Sequence, residues 1–155
     1  MSPDKRLMWD QRYLRLAAGE IASWSKDPST KVGAVLVSPG NRGASFGYNG
    51  FPRGADDSPH LYLDKEYKRT HIIHAEINAL DSHGEYAIGC TLYSSFPCCS
   101  ACVAEAVRRG AVRIVSIPLN TQGRAQEWIT KWQTEIAKAK YLAARKEVAY
   151  EFVQI

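Results

Sequence analysis

Four residues of this chain, His74, Glu76, Cys99 and Cys102, have the types and spacing of a catalytic metal site. They fall in His74-Ala75-Glu76 and, further on, in Pro97-Cys98-Cys99-Ser100-Ala101-Cys102. One imidazole and a Cys-x-x-Cys thiolate pair suit Zn2+, and catalytic zinc sites keep three protein ligands with a fourth position open for water. A structural zinc site fills all four positions with Cys or His. Here the remaining group is a carboxylate, which is better suited to moving protons. The expected ligands are therefore His74, Cys99 and Cys102, the expected cofactor is Zn2+, and Glu76 is the expected catalytic residue. Zinc lowers the pKa of a water from about 15.7 to about 7. Glu76 would take a proton from that water and pass it on to the substrate. Two rival readings are a closed structural site with Cys98 as fourth ligand and a set of buried cysteines without metal.

The elements that must position these residues follow from periodicity. Trp9, Tyr13, Leu16, Ala17, Ile21 and Trp24 recur at helical spacing, which predicts an amphipathic helix over about 7–24. Val32 to Val37 is a continuous apolar run suited to a strand buried on both faces. Pro39-Gly40-Asn41 is a turn, Gly43 to Tyr48 a returning strand, and 49–59 a loop rich in Gly, Pro and Asp. A helix over Ala75 to Leu80, ended by Gly84, precedes a strand at 91–94. Cys102 to Arg109 reads as a helix, 112–117 as a strand, 125–143 as a last helix and 148–152 as an edge strand. Strands alternating with helices imply an α/β sandwich with a mixed sheet, helices on both faces, and parallel pairing in its later part. His74 and Glu76 then lie at one helix N-terminus and Cys99 and Cys102 at another. Both ends favour negative charge, so they would help hold thiolates.

Composition sets wide bounds. The chain has 155 residues, a formal net charge of +4, 45% hydrophobic and 23% charged residues, as in an ordinary globular domain. We expect a single domain over 1–155. No apolar run reaches membrane-span length and no signal peptide is visible at the start, so a cytoplasmic protein without membrane contact is expected. The four cysteines then read as ligands or free thiols. The small positive charge suits an anionic ligand such as a nucleotide and does not demand nucleic acid.

With these residues in view, the chain resembles the deoxycytidylate (dCMP) deaminase family of the cytidine deaminase superfamily. His-x-Glu with Pro-Cys-x-x-Cys is the signature of zinc-dependent nucleobase deaminases. The likeness runs from about Trp9 to Ile117 and is carried by Ser25 to Ala34, Gly47-Tyr48-Asn49-Gly50-Phe51-Pro52-Arg53-Gly54, His74 to Leu80, and Thr91-Leu92-Tyr93 leading to the cysteines. The Gly-Tyr-Asn-Gly-Phe-Pro segment points to the dCMP branch. The family usually places proline directly before the first cysteine ligand, and here Cys98 stands in that position. An ungapped match makes Cys99 and Cys102 the ligands.

The resemblance implies a three-layer fold with a mixed five-stranded sheet and hydrolytic deamination of dCMP to dUMP. Alternatives are deamination of dCTP or a 5-modified dCMP, a tRNA adenosine deaminase-like activity, and a zinc protein without catalysis. It also implies a homo-oligomer, commonly a hexamer, with dCTP and dTTP as possible effectors. No second zinc is expected over 53–74.

Substrate contacts are expected from Asn49, whose amide can donate and accept at once, although an Asn in a glycine-flanked loop also suits a left-handed turn. A 5′-phosphate needs cations or hydroxyls, and Lys26, Arg53 and Arg69 are candidates, with Ser29 and Thr30 beside them. The backbone around Phe96 and Pro97 is expected to receive the exocyclic amino group, as in relatives of this fold. Phe96, Phe51 and Tyr48 are candidate walls for the base, Asn78 reads as structural, and Trp128 and Trp132 read as core.

Overall fold

A computed structural model describes residues 1–155. Helix α1 (Pro3–Arg15) starts at Ser2, whose hydroxyl accepts the Lys5 N–H at 3.2 Å, and Pro3 sits where a helix needs no N–H. It runs on through a π-turn (Leu16–Ile21) and a 3-10 turn (Ala22–Trp24), so the predicted helix begins earlier and widens midway. The widening lies over Gly33, where a Cβ would fall 2.1 Å from the Ala17 carbonyl oxygen.

Strands β1 (Gly33–Val37) and β2 (Ala44–Tyr48) form a hairpin through Gly40 and Asn41, at φ 72° and 56°. Then follow α2 (Lys65–His71), α3 (Ala75–His83), β3 (Thr91–Ser94), α4 (Ser100–Arg108), β4 (Arg113–Ser116), α5 (Gln126–Arg145) and β5 (Ala149–Phe152). The sheet order is β2-β1-β3-β4-β5. Its first two pairings are antiparallel and its last two parallel.

Strand alternation divides the core into two faces. Leu36, Leu92 and Ile114 are in register and pack with Leu80 of α3, Val103 and Ala106 of α4, and Ala139 and Ala143 of α5. Val35, Tyr93 and Val115 are in register on the other face and pack with Leu14, Ala17 and Ile21 of the first helical segment. This is the expected three-layer arrangement. Helix α2 was not expected, because its seven residues carry no apolar stripe. It is set by Asp64, whose carboxylate accepts the Tyr67 N–H at 3.0 Å.

No helix is long and apolar enough to cross a membrane.

Candidate active site

His74 is the N-cap of α3 and Cys99 the N-cap of α4, both in extended backbone conformation. Glu76 and Cys102 follow within the first turns. Because β1 and β3 are adjacent and α3 and α4 pack on the same face, the two helix starts meet. His74 Nδ1 lies 3.3 Å from Cys102 Sγ and 3.6 Å from Cys99 Sγ, and the three ligand atoms all lie within 4.8 Å of one another. Tetrahedral zinc with ordinary bond lengths requires nitrogen and sulfur ligands to stand about 3.6 Å apart. The donor set and its spacing therefore fit zinc.

Cys98 lies outside this group. It is fully buried, its sulfur is 3.6 Å from Ser116 Oγ, and its carbonyl accepts the Tyr150 hydroxyl at 3.0 Å. Residues 98 and 99 thus face opposite ways, one into the core and one to the metal group.

Glu76 is buried at 4% exposure. Its Oε1 accepts the Ser94 hydroxyl at 2.8 Å, and its Oε2 is 3.8 Å from Cys102 Sγ. Burial raises the Glu76 carboxyl above the ordinary range, against the opposing pull of His74 and Ser94. The thiols ionise unequally. The hydrogen bond from Cys102 brings Cys99 down to about 4, and the same pairing, with burial, pushes Cys102 up. The hydrogen bond to Cys99 raises His74.

A cavity of about 230 Å³ opens over His74, Glu76 and Cys99. Asn49 borders it, buried at 5% exposure. Its Oδ1 accepts the Val32 N–H and its Nδ2 donates to the Thr30 carbonyl, both at 2.8 Å. The amide so clamps the 30–32 segment and keeps one N–H and one lone pair unspent. Only Asn41 and Glu147 among non-glycine residues have positive φ, so Asn49 is not there for a left-handed turn. Asn78 donates to the Tyr48 carbonyl at 2.8 Å and holds α3 to the end of β2.

Phe96 forms part of the wall, with its ring edge-on to Trp132 at 4.7 Å. The reading of Trp128 and Trp132 as core needs correction. Both are half-buried and line the cavity, because the first turns of α5 stand at its rim while Ala139 and Ala143 further along enter the core. Phe51 stacks on Tyr62 at 4.1 Å and Tyr48 is exposed beside Trp24; neither borders the cavity.

The three cations expected near a phosphate lie elsewhere. Lys26 is exposed and pairs with Asp57 at 2.6 Å, while Arg53 and Arg69 are exposed and away from the cavity. The cations on the wall are Lys68 and Arg124. Helix α2 turns Lys68 rather than its neighbour Arg69 inward, so finding it required that helix. Arg124 lies past Ile117, beyond the family-like segments. Thr30 is on the wall, whereas Ser29 bonds Asp27 through both its N–H and its hydroxyl.

A mixed five-stranded sheet carrying a His-Cys-Cys group on two helix starts, with a buried glutamate beside it, has the residue pattern of the zinc-dependent nucleobase deaminases. A sequence profile of the cytidine and deoxycytidylate deaminase zinc-binding region matches residues 7–117, and the chain belongs to that family. It is 34% identical over 125 residues to an uncharacterized deaminase of the luxG 3′ region of Aliivibrio fischeri, covering 81% of this chain and 82% of that one. It is 43% identical over 95 residues to a probable deoxycytidylate deaminase of Caenorhabditis elegans, covering 57% of this chain and 47% of the relative. The crystal structure of dCMP deaminase from the cyanophage S-TIM5, in complex with dCMP and dUMP, has the same fold. It aligns at TM-score 0.64 and 18% identity over 99% of both chains.

Proposed function

We propose that this chain, as one deaminase domain, converts dCMP to dUMP and ammonia, a reaction that supplies the precursor of thymidylate. The observation that carries this reading is the buried carboxylate of Glu76 beside the His74, Cys99 and Cys102 group, at a cavity of nucleobase size. A probable deoxycytidylate deaminase among its relatives and the dCMP-bound and dUMP-bound fold neighbour support the choice of substrate.

Zinc held by His74, Cys99 and Cys102 supplies Lewis acidity, which makes water nucleophilic near neutral pH. Glu76 takes one proton from the attacking water and delivers it to N3 of the cytosine ring, which makes C4 electrophilic. Glu76 then takes the remaining proton from the new C4 hydroxyl and passes it to the leaving nitrogen as the C4–N4 bond breaks. Water is consumed, a carbonyl forms at C4 and ammonia departs. A carboxyl raised by burial suits both directions of transfer. The Ser94 hydroxyl holds Glu76 Oε1, leaving Oε2 for this work. Asn49 presents its unspent N–H and lone pair to the sugar or base, and the backbone at Phe96 and Pro97 takes the exocyclic amino group. Phe96 walls the base.

The same reading includes a homo-oligomer, a hexamer by family resemblance, with dCTP and dTTP as effectors. It also includes a cytoplasmic setting, which four free cysteines suit.

Ammonia release from dCMP, 5-methyl-dCMP, dCTP, deoxycytidine and AMP, with and without added dCTP or dTTP, tests the proposal. Turnover of dCMP in preference to the others is expected. Failure to turn over any mononucleotide, together with tight RNA binding, sinks it. Glu76→Gln should abolish turnover while zinc stays bound, and an active Glu76→Gln protein refutes the proton-shuttle role.

A further inference from the structure

We propose that Arg124 is the residue that selects a 5′-phosphorylated substrate, holding the phosphate where the catalytic cavity meets a second, polar cavity. This rests on the reading of the first cavity as the nucleotide site.

Of the two cations on the wall, only Arg124 has its charge unspent. Lys68 Nζ is 2.6 Å from Asp27 Oδ2, and the Asp27 side chain is fully buried. The other oxygen of Asp27 accepts the Ser29 N–H, the Ser29 hydroxyl and the Thr30 N–H at 2.9–3.1 Å. That cluster is closed on itself, and drawing Lys68 away would strand a buried carboxylate. Arg124 has no carboxylate partner and donates no side-chain hydrogen bond. Its guanidinium rests on the Trp128 ring, 4.5 Å from the centroid. The ring face holds the guanidinium in place without taking up its N–H groups, which stay available for bidentate contact with phosphate oxygens.

The loop that presents Arg124 is built for it. Asn120 Oδ1 accepts the Gln122 N–H at 3.0 Å, Gly123 takes φ 72°, and the Arg124 N–H closes on the Thr121 carbonyl at 3.1 Å. A β-carbon is strained at that φ, so Gly123 suits the turn.

The second cavity, about 520 Å³, shares Phe96, Trp128 and Arg124 with the first. Its other polar lining comes from Ser95, Asn120 and Gln122, with no carboxylate. Hydroxyl and amide donors around one unpaired guanidinium form an anion environment, and the shared wall places it next to the base cavity. A nucleoside leaves Arg124 without an acceptor, whereas a nucleotide supplies one.

The test compares dCMP with deoxycytidine in the wild-type enzyme, Arg124→Ala and Arg124→Lys. The preference for dCMP, measured as the ratio of kcat/KM values, should fall about 10- to 100-fold in Arg124→Ala, as expected for losing a charged hydrogen-bond pair. The loss should fall in KM. Arg124→Lys should recover only part of it, because an ammonium lacks the planar fork. A loss shared equally by both substrates, or no loss, overturns the proposal. Titration with inorganic phosphate and with dUMP against deoxyuridine, followed by tryptophan fluorescence, needs no turnover and separates this inference from the reaction proposed above. Phosphate and dUMP binding that disappear in Arg124→Ala support the role even if no cytosine nucleotide is deaminated. Binding that is equal in both proteins, or absent from both, overturns it.

Discussion

Glu135 Oε1 on α5 accepts two hydrogen bonds from Ser100, one from the backbone N–H at 2.8 Å and one from the hydroxyl. Ser100 is the first residue of α4, and its N-cap, Cys99, makes no side-chain cap of its own. A carboxylate from a distant helix therefore caps the turn that spans Cys99 and Cys102. These hydrogen bonds, with nearby Lys138 and Lys131, lower the Glu135 pKa. Glu135→Ala should cost about 1 kcal/mol of stability, as for a lost cap. It should also weaken zinc about 10-fold or more, because such outer contacts orient the ligands. Urea unfolding and competition with a chelator measure the two effects. Glu135→Gln keeps an acceptor and should fall between. Unchanged zinc affinity in Glu135→Ala would separate the cap from the metal group.

Gly47 of β2 is where α3 touches the sheet. A Cβ there would stand 2.2 Å from both the Ala75 carbonyl oxygen and the Ala79 nitrogen, backbone atoms that cannot move aside singly. The helix start bearing His74 and Glu76 is thus seated on a missing side chain. Gly47→Ala should cost about 1–3 kcal/mol through overpacking. Because the strain pushes α3 outward, zinc content of the purified protein should fall with it. A Gly47→Ala protein with full zinc content would show that the sheet absorbs the strain instead.

The sequence was most legible where one period dominates. The apolar run of β1, the burial of Ala17 and Ile21 on the first helix, and the helix starts at His74 and Cys99 all follow from local pattern, whereas Leu16 and Trp24 of the expected stripe are exposed and Leu14 is buried instead. The zinc group was legible for a related reason, since its spacing is itself set by helical turns. What was hidden depends on long-range packing. Trp128 and Trp132 share a stripe with Ala139 and Ala143, and periodicity cannot tell which end of a stripe meets a cavity. Lys68 stayed hidden because α2 is set by the Asp64 cap and the aromatic contacts of Tyr67 with Phe51 and His71, rather than by an apolar face.

The Asp27–Lys68 pair makes stability depend on acid. Burial opposes the Asp27 charge, but Lys68 and the Ser29 and Thr30 N–H groups outweigh it and lower its pKa. The unfolded value is about 3.9. A depressed folded pKa means that the contribution is fully present above about pH 4 and is lost as pH falls through the folded value. Asp27→Asn lacks this contribution and leaves Lys68 facing an uncharged amide, at a cost of about 3 kcal/mol at neutral pH. The gap between wild type and Asp27→Asn in urea midpoint should therefore narrow as pH drops below about 4. A gap that stays constant down to acid pH would assign the cost to packing alone.

Two adjacent cysteines with opposite environments offer the sharpest check of the metal group. Cys99 Sγ is 3.6 Å from His74 Nδ1, while Cys98 is fully buried against Ser116. The Cys98 sulfur faces Ser116 in the core and stands outside the group formed by His74, Cys99 and Cys102. Cys99→Ala and Cys102→Ala should each lose zinc. Cys98→Ala should keep one zinc per chain and lose about 1 kcal/mol to the small cavity left by the sulfur. Metal analysis of the three variants, purified side by side, decides the matter. Zinc lost from Cys98→Ala and retained by Cys99→Ala would mean that the turn after Pro97 is wound the other way, with a Cys-x-x-x-Cys pair at the metal.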